Sequence, residues 1–87
     1  MNRRYRYVFG YSDHDGMPCR ERAFESTRRL SDAKLSELAI EEAANDVGSI
    51  ELSMDGEVLF DLARMGSRRK TAWEMRYSDG RSYIIAV

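Results

Sequence analysis

The clearest helical pattern in the chain runs from about Asp32 to Val47. Its apolar residues recur at the three- or four-residue spacing of an amphipathic helix. They are Leu35, Leu38, Ala39, Ala43 and Val47. Ser31 precedes the segment as a favourable N-cap, and Gly48 follows it as a residue that can close a helix in the left-handed conformation. The pattern predicts one helix over residues 32–47.

The rest of the chain alternates between polar and apolar residues around three Asp-Gly pairs. These are Asp15-Gly16, Asp55-Gly56 and Asp79-Gly80. Asp-Gly between alternating segments is a strong hairpin signal, so three hairpins are expected. The predicted fold class is α+β: an antiparallel β-sheet of about five to six strands (ββα, then two hairpins) with one α-helix packed on one face. A length of 87 residues predicts one compact domain over 1–87.

The register of each hairpin follows from keeping its apolar side chains on one face of the sheet. In the first hairpin, this rule sets Tyr7 opposite Phe24 and Arg6 opposite Glu25. In the second, a three-residue loop with a left-handed Gly56 gives the pairs Met54/Val58, Leu52/Phe60 and Ile50/Leu62. The same loop length in the third hairpin gives Tyr77/Tyr83, Met75/Ile85 and Trp73/Val87.

The cellular compartment is suggested by the single cysteine and by the short apolar runs. Cys19 has no second cysteine to pair with, which fits a reducing environment. No apolar run approaches the roughly 18–20 residues of a transmembrane helix. We therefore expect no membrane partner and a cytoplasmic location, in a bacterium or a phage-infected host cell.

Candidate catalytic and metal-binding residues are confined to the first hairpin turn. Asp13, His14 and Asp15 could ligate a metal, but no further His or a second Cys supports them. Cys19 could form a nucleophilic pair with His14, but no third group is evident that would orient the histidine. No glycine-rich phosphate loop is present. The sequence therefore predicts a non-enzymatic protein without cofactor or metal.

Charge is distributed very unevenly along the chain. Residues 1–30 carry a net charge of +3, residues 31–61 of −8 and residues 62–87 of +4, although the whole chain carries only −1. Several acids fall near the end of the predicted helix, where the helix dipole disfavours negative charge. Such a placement suggests a surface that serves something other than stability.

The leading functional hypothesis is a protein–protein interaction module that acts through this acidic helix face. Its partner-binding residues would be Glu37, Glu41, Glu42, Asn45 and Asp46. The partner would be a larger protein or nucleoprotein with a basic surface, since charge complementarity favours association rate and specificity. Neutralisation of these acids by arginines of the same molecule remains open, as does homodimer formation.

The alternative hypothesis is nucleic-acid binding by the basic segments at either end of the chain. The residues would be Arg3, Arg4, Arg6, Arg68, Arg69 and Lys70. Arginine interleaved with tyrosine suits phosphate contact and base stacking on single strands. However, a sequence pI near 5.8 is low for such a protein.

In format, the chain resembles the small stand-alone proteins that phages and mobile elements use to inhibit bacterial nucleoprotein machines, anti-CRISPR inhibitors among them. The resemblance lies in size, in an arginine-rich composition typical of GC-rich genomes and in the lack of catalytic motifs. It implies a nucleic-acid-binding groove on a host effector as the target, with carboxylates in the place of phosphates.

Overall fold

The protein folds into one six-stranded antiparallel sheet and one helix, as a computed structural model describes for residues 3–42, 47–65 and 72–86. The elements are β1 (Tyr5–Ser12), β2 (Pro18–Ser26), α1 (Asp32–Glu42), β3 (Ser49–Met54), β4 (Glu57–Met65), β5 (Ala72–Tyr77) and β6 (Ser82–Ala86). The predicted α+β class and the order ββα followed by two hairpins are confirmed.

The strand order in the sheet is β2-β1-β3-β4-β5-β6. The three hairpins therefore lie side by side, and the helix connects β2 to β3 so that β3 can pair with β1. Strands β2 and β6 form the two edges. No helix in the described ranges has the length and apolar character needed to cross a membrane.

The core lies between the helix and one face of the sheet. It is built largely from aromatic and branched residues. Those on the strands meet on one face because alternate strand positions share a face. The buried residues are Tyr7, Phe9, Tyr11, Leu35, Ala39, Val47, Ile50, Leu52, Phe60, Leu62, Trp73 and Met75. Leu35 and Ala39 belong to the helix, and Tyr7 stacks on Phe24 of β2 with 5.1 Å between ring centroids. The helix thus covers one face of the sheet only.

The helix begins as predicted but does not continue to Val47. The Ser31 hydroxyl accepts a hydrogen bond from the Lys34 amide at 3.2 Å, which is the N-cap contact. The described helix ends at Glu42, residues 43–46 lie outside the described residues, and Val47 is buried in non-helical backbone.

Gly48 has a different role from the predicted helix cap. Its backbone is outside the left-handed region. It packs against the first hairpin turn, and a Cβ at this position would lie 2.4 Å from the Asp13 carbonyl oxygen. Close approach of two backbones, rather than helix termination, therefore explains this glycine.

The predicted register is correct in the first hairpin and partly correct in the second. Tyr7 pairs with Phe24 and Arg6 with Glu25. Ile50/Leu62 and Leu52/Phe60 also form, but the Met54/Val58 pair was wrong because Val58 lies opposite Ser53. Asp55 (φ 50°) and Gly56 (φ 87°) make a two-residue turn, and the extra residue is a bulge at Leu59.

In the third hairpin, the predicted register is wrong by two residues. Met75 pairs with Tyr83 and Trp73 with Ile85, while Val87 lies outside the described residues. The three-residue loop is present, but it starts one residue earlier, because the Tyr77 amide donates to the Arg81 carbonyl at 2.8 Å. A shift of two keeps every side chain on its predicted face.

Candidate functional site

The acid at the end of the described helix, Glu42, is engaged within the molecule. Its carboxylate accepts a hydrogen bond from the Tyr11 hydroxyl of β1 and forms an ion pair with Arg22 of β2. Only 13% of its side chain is exposed. Glu42 therefore ties the helix to two strands and contributes little to an exposed acidic surface.

Tyr11 is held in its protonated form by the same arrangement. Burial of the phenol and, secondly, its hydrogen bond to Glu42 raise the pKa of Tyr11 well above the ordinary 10.0. Arg20 lies over the ring, with its Cζ 4.5 Å from the ring centroid. The phenol can thus act as a permanent donor to Glu42 at neutral pH.

A shallow groove of about 390 Å³ runs between the helix end and the edge strand β2. It is lined by Tyr11, Arg20, Glu21, Arg22, Glu41 and Glu42. The guanidinium groups of Arg20 and Arg22 lie on the same side of the sheet as Glu41 and Glu42, so the charges in the groove largely offset one another. The groove offers no strong field of a single sign.

Two of the predicted helix-face acids remain exposed. The Glu37 side chain is 63% exposed and lies 4.0 Å from the Lys34 ammonium. Glu41 is exposed, and none of the described residues forms an ion pair with it. The other two acid-face positions, Asn45 and Asp46, lie outside the described residues. The described helix therefore presents two exposed carboxylates, one of them paired with Lys34, rather than a dense patch.

The N-terminal arginines of the nucleic-acid hypothesis already have acidic neighbours. Arg3 lies 3.8 Å from Asp55, and Arg4 lies 3.3 Å from Glu25. Both pairs are exposed, and such pairs contribute little. Arg6 is exposed too, whereas Arg68, Arg69 and Lys70 lie outside the described residues.

The two tyrosines of this segment, Tyr5 and Tyr7, are already engaged within the molecule. Tyr7 is fully buried, and its hydroxyl accepts a hydrogen bond from the Leu30 amide at 2.9 Å. Tyr5 is only partly buried, but Arg3 already covers its ring at 4.8 Å from the centroid. The interleaved pattern therefore reflects packing of β1 against the core.

A second acidic surface, which the sequence interpretation did not identify, lies on the face of the sheet opposite the helix. We call it the acidic sheet face and define it by Glu21, Glu51, Asp61 and Glu74. The register places Glu21 and Glu51 on either side of Gly10, and Glu51 directly opposite Asp61. Glu74 lies opposite Ala63, two residues along β4. Strands β2, β3, β4 and β5, with β1 between β2 and β3, thus bring these acids to one surface.

Most of the neighbouring positions on this face carry short side chains or none, although Glu74 lies opposite the exposed Ile84. The short positions lie on β1, β3 and β4. They are Val8, Gly10, Ser49, Ser53 and Ala63. A Cβ at Gly10 would meet nothing within 4 Å. Gly10 therefore leaves open the space between Glu21 and Glu51.

The positive charges on this face do not balance the acids. Arg76 lies 3.0 Å from Asp61 and 3.5 Å from Glu74. Arg6, at the far end of β1, lies opposite Glu25. Among the described residues, no cation forms an ion pair with Glu21 or Glu51. This part of the acidic sheet face keeps its negative charge.

The first hairpin turn has a structural explanation. The Asp13 carboxylate accepts hydrogen bonds from the Asp15 and Met17 amides, which holds the turn. Cys19 is exposed at a bulge, and its thiol lies 3.4 Å from the Tyr11 carbonyl oxygen. Within the described ranges, no three His, Cys, Asp or Glu side chains gather as metal ligands would.

The fold and this surface define a small α+β protein with one covered and one acidic sheet face. Comparison with protein-family models, curated proteins and solved structures gives no match to the chain.

Proposed function

We propose that the chain is a non-enzymatic protein–protein interaction module that presents carboxylates to a basic surface on a larger protein or nucleoprotein. The observation that carries this proposal is the juxtaposition of Glu51 and Asp61 on neighbouring strands, with Glu21 two strands away. Complementary charge across an interface raises the association rate and excludes wrong partners.

The energetics of the sheet support a binding role for this face. Like charges directly opposite each other on neighbouring strands destabilise a sheet. Arg76 offsets the charge of Asp61 at 3.0 Å, but none of the described cations forms an ion pair with Glu51, so threonine or a basic residue at position 51 would be more stable. An arrangement that lowers stability without a local benefit is typical of a functional surface.

The acidic helix face is the competing docking surface within the same proposal. Glu37 and Glu41 lie on the other side of the molecule, because the helix covers the opposite face of the sheet. Their two carboxylates would have to act with Asn45 and Asp46. The acidic sheet face brings together more described carboxylates, so we propose the docking surface there.

A finer form of the proposal concerns the partner. A groove that binds nucleic acid is lined with arginine and lysine, which neutralise phosphates. A row of carboxylates on a flat sheet can occupy such a groove in place of phosphates. On this basis the protein acts as a phage- or mobile-element-type inhibitor of a bacterial nucleoprotein machine, in the cytoplasm of a bacterial cell.

The test compares two charge-reversed proteins in capture from bacterial lysate, read by mass spectrometry. One carries Glu21→Lys with Glu51→Lys, and the matched control carries Glu37→Lys with Glu41→Lys. Both variants change the net charge equally, so any difference between them reports position. We expect the first variant to lose a protein that the wild type captures, and the control to retain it.

Other outcomes of this test would move the docking surface or refute the proposal. Loss in the control alone would move the docking surface to the helix face. Capture that neither variant reduces, or no specific capture by the wild type, would refute docking through carboxylates. A salt-sensitive mobility shift of a labelled single-stranded oligonucleotide, weakened by Arg3→Ala with Arg6→Ala, would support nucleic-acid binding instead.

A further inference from the structure

We infer that two copies of this chain pair through strand β6 to form one continuous sheet across a two-fold axis at Ile84. The two edge strands, β2 and β6, differ in how well they are protected against pairing with another strand. An edge strand exposes unpaired backbone N–H and C=O groups, which form a template for another strand unless charge, proline or a bulge protects it.

Edge strand β2 carries all of these protections. It begins at Pro18, it has a bulge at Cys19, and it alternates charges. The charged residues are Arg20, Glu21, Arg22 and Glu25. Pairing of β2 with another strand would have to overcome these features.

Edge strand β6 carries none of them. Its sequence is Ser-Tyr-Ile-Ile-Ala, without charge, proline or bulge. Tyr83 is 50% exposed and Ile84 is 62% exposed. These side chains point to opposite faces of the sheet, so the strand is apolar on both sides.

The direction of the free backbone groups fixes the register of pairing. The Tyr77 amide donates to the Arg81 carbonyl, so the polar backbone groups of Arg81 face β5. Because this direction alternates along an antiparallel strand, Tyr83 and Ile85 also face β5. The N–H and C=O groups of Ser82, Ile84 and Ala86 therefore point away from the sheet.

Of the possible antiparallel registers between two copies of β6, the one centred on Ile84 pairs the most outward-facing groups. In an antiparallel pair centred on Ile84, Ser82 meets Ala86 of the second copy, Tyr83 meets Ile85, and Ile84 meets Ile84. All three outward-facing residues then find partners, and no like charges meet. The contact is self-complementary, as an interface with two-fold symmetry requires. The axis is perpendicular to the sheet, so both helices lie on the same side.

The first test is the molar mass of the full chain in solution, measured by light scattering over a range of concentrations. We expect the mass to rise with concentration to twice the 10.1 kDa of the chain. Ile84→Lys places two ammonium groups on the axis and should keep the protein at the mass of one chain. Met17→Lys is the matched control, because Met17 is equally exposed (63%) but lies in the first hairpin turn. It should dimerise as the wild type does.

A second variant separates backbone pairing from side-chain contact. The Ile84 amide points outward, so Ile84→Pro should leave the β5–β6 hydrogen bonds intact while removing a donor from the interface. Unchanged fluorescence of the buried Trp73 would show that each variant is folded. We expect Ile84→Pro to be monomeric.

The register is tested by cross-linking. In a Cys19→Ala background, Ile84→Cys would place two thiols on the axis, with Cα atoms about 5.5 Å apart, within the range for a disulfide. Met17→Cys in the same background is the control and should not cross-link. A wild type that stays monomeric, or a dimer that Ile84→Lys and Ile84→Pro leave intact, would overturn the inference. A dimer that does not cross-link at position 84 would overturn the register.

Discussion

The Tyr11 hydroxyl donates a hydrogen bond to the Glu42 carboxylate, and this contact joins the end of the helix to strand β1. Arg22 of β2 binds the other carboxylate oxygen. The last described residue of the helix is thus held by two neighbouring strands. A hydrogen bond to a charged, largely buried acceptor is among the stronger contacts that a small domain can make.

Removing this donor should lower the stability of the fold. We expect Tyr11→Phe to reduce the free energy of unfolding by about 1–2 kcal/mol, because the Glu42 carboxylate loses a donor that water replaces only partly. Urea denaturation followed by the fluorescence of Trp73, the only tryptophan, measures the change. Tyr5→Phe is the control, since no hydrogen bond involves the Tyr5 hydroxyl within the described part of the chain. Equal effects of the two variants would contradict this role of Tyr11.

The raised pKa of Tyr11 predicts a specific dependence of stability on alkaline pH. The folded state favours the protonated phenol, so its stabilising contribution is complete below the pKa of the unfolded chain, 10.0. It is lost as the pH rises above that value toward the higher folded pKa. The difference in unfolding free energy between wild type and Tyr11→Phe should therefore be constant from about pH 8 to about pH 9.5 and shrink above pH 10. A difference that grows above pH 10 would contradict the direction of the shift.

The sequence predicted the pairing within the hairpins only as far as side-chain alternation can determine it. Tyr7/Phe24 was correct because a slip of one residue would have moved Phe24 to the face opposite Tyr7 and turned Glu25 or Ala23 toward the core. In the third hairpin, a shift of two preserves both faces, so alternation could not distinguish Met75/Tyr83 from Met75/Ile85. The observed choice depends on where the loop closes, at Tyr77 and Arg81. The adjacency of β1 and β3 is a long-range contact that no local pattern specifies.

In the candidate site too, some features follow from side-chain alternation and others depend on long-range contacts. The predicted pairs Ile50/Leu62 and Leu52/Phe60 already place Glu51 opposite Asp61, so part of the acidic sheet face was contained in the correct register. The position of Glu21 on the same face required the order of the strands. The engagement of Glu42 required knowing that Tyr11 and Arg22 lie under the helix end.

Two glycines provide a matched test of the tertiary packing. Gly48→Ala should destabilise the fold by about 1–3 kcal/mol, because its Cβ would lie 2.4 Å from the Asp13 carbonyl oxygen, a backbone atom that cannot rotate away. Gly10→Ala should be neutral or stabilising by up to about 1 kcal/mol, since it fills open space within a strand. Thermal unfolding of the two variants measures the contrast. A tolerated Gly48→Ala would show that the first hairpin turn does not pack against residue 48.

Substitution of Glu51 in the acidic sheet face should affect both the free energy of unfolding and partner binding. Glu51→Gln removes one of two carboxylates that lie directly opposite each other, and it preserves the size of the side chain. We expect the free energy of unfolding to rise by about 0.2–1 kcal/mol at low ionic strength, because cross-strand repulsion is relieved. The gain should fall when about 1 M salt screens the charges, since the Debye length is then only about 3 Å.

Glu57→Gln serves as the control for this prediction. Glu57 is an exposed acid at the start of β4, and its cross-strand partner is the uncharged Met54. Its substitution should change the stability far less, because no like charge faces it. If Glu51→Gln both stabilises the fold and weakens partner capture, residue 51 has been kept acidic at the expense of stability, as a binding surface requires. If it lowers stability instead, Glu51 contributes to the fold, and the main physical support for docking through this face is removed.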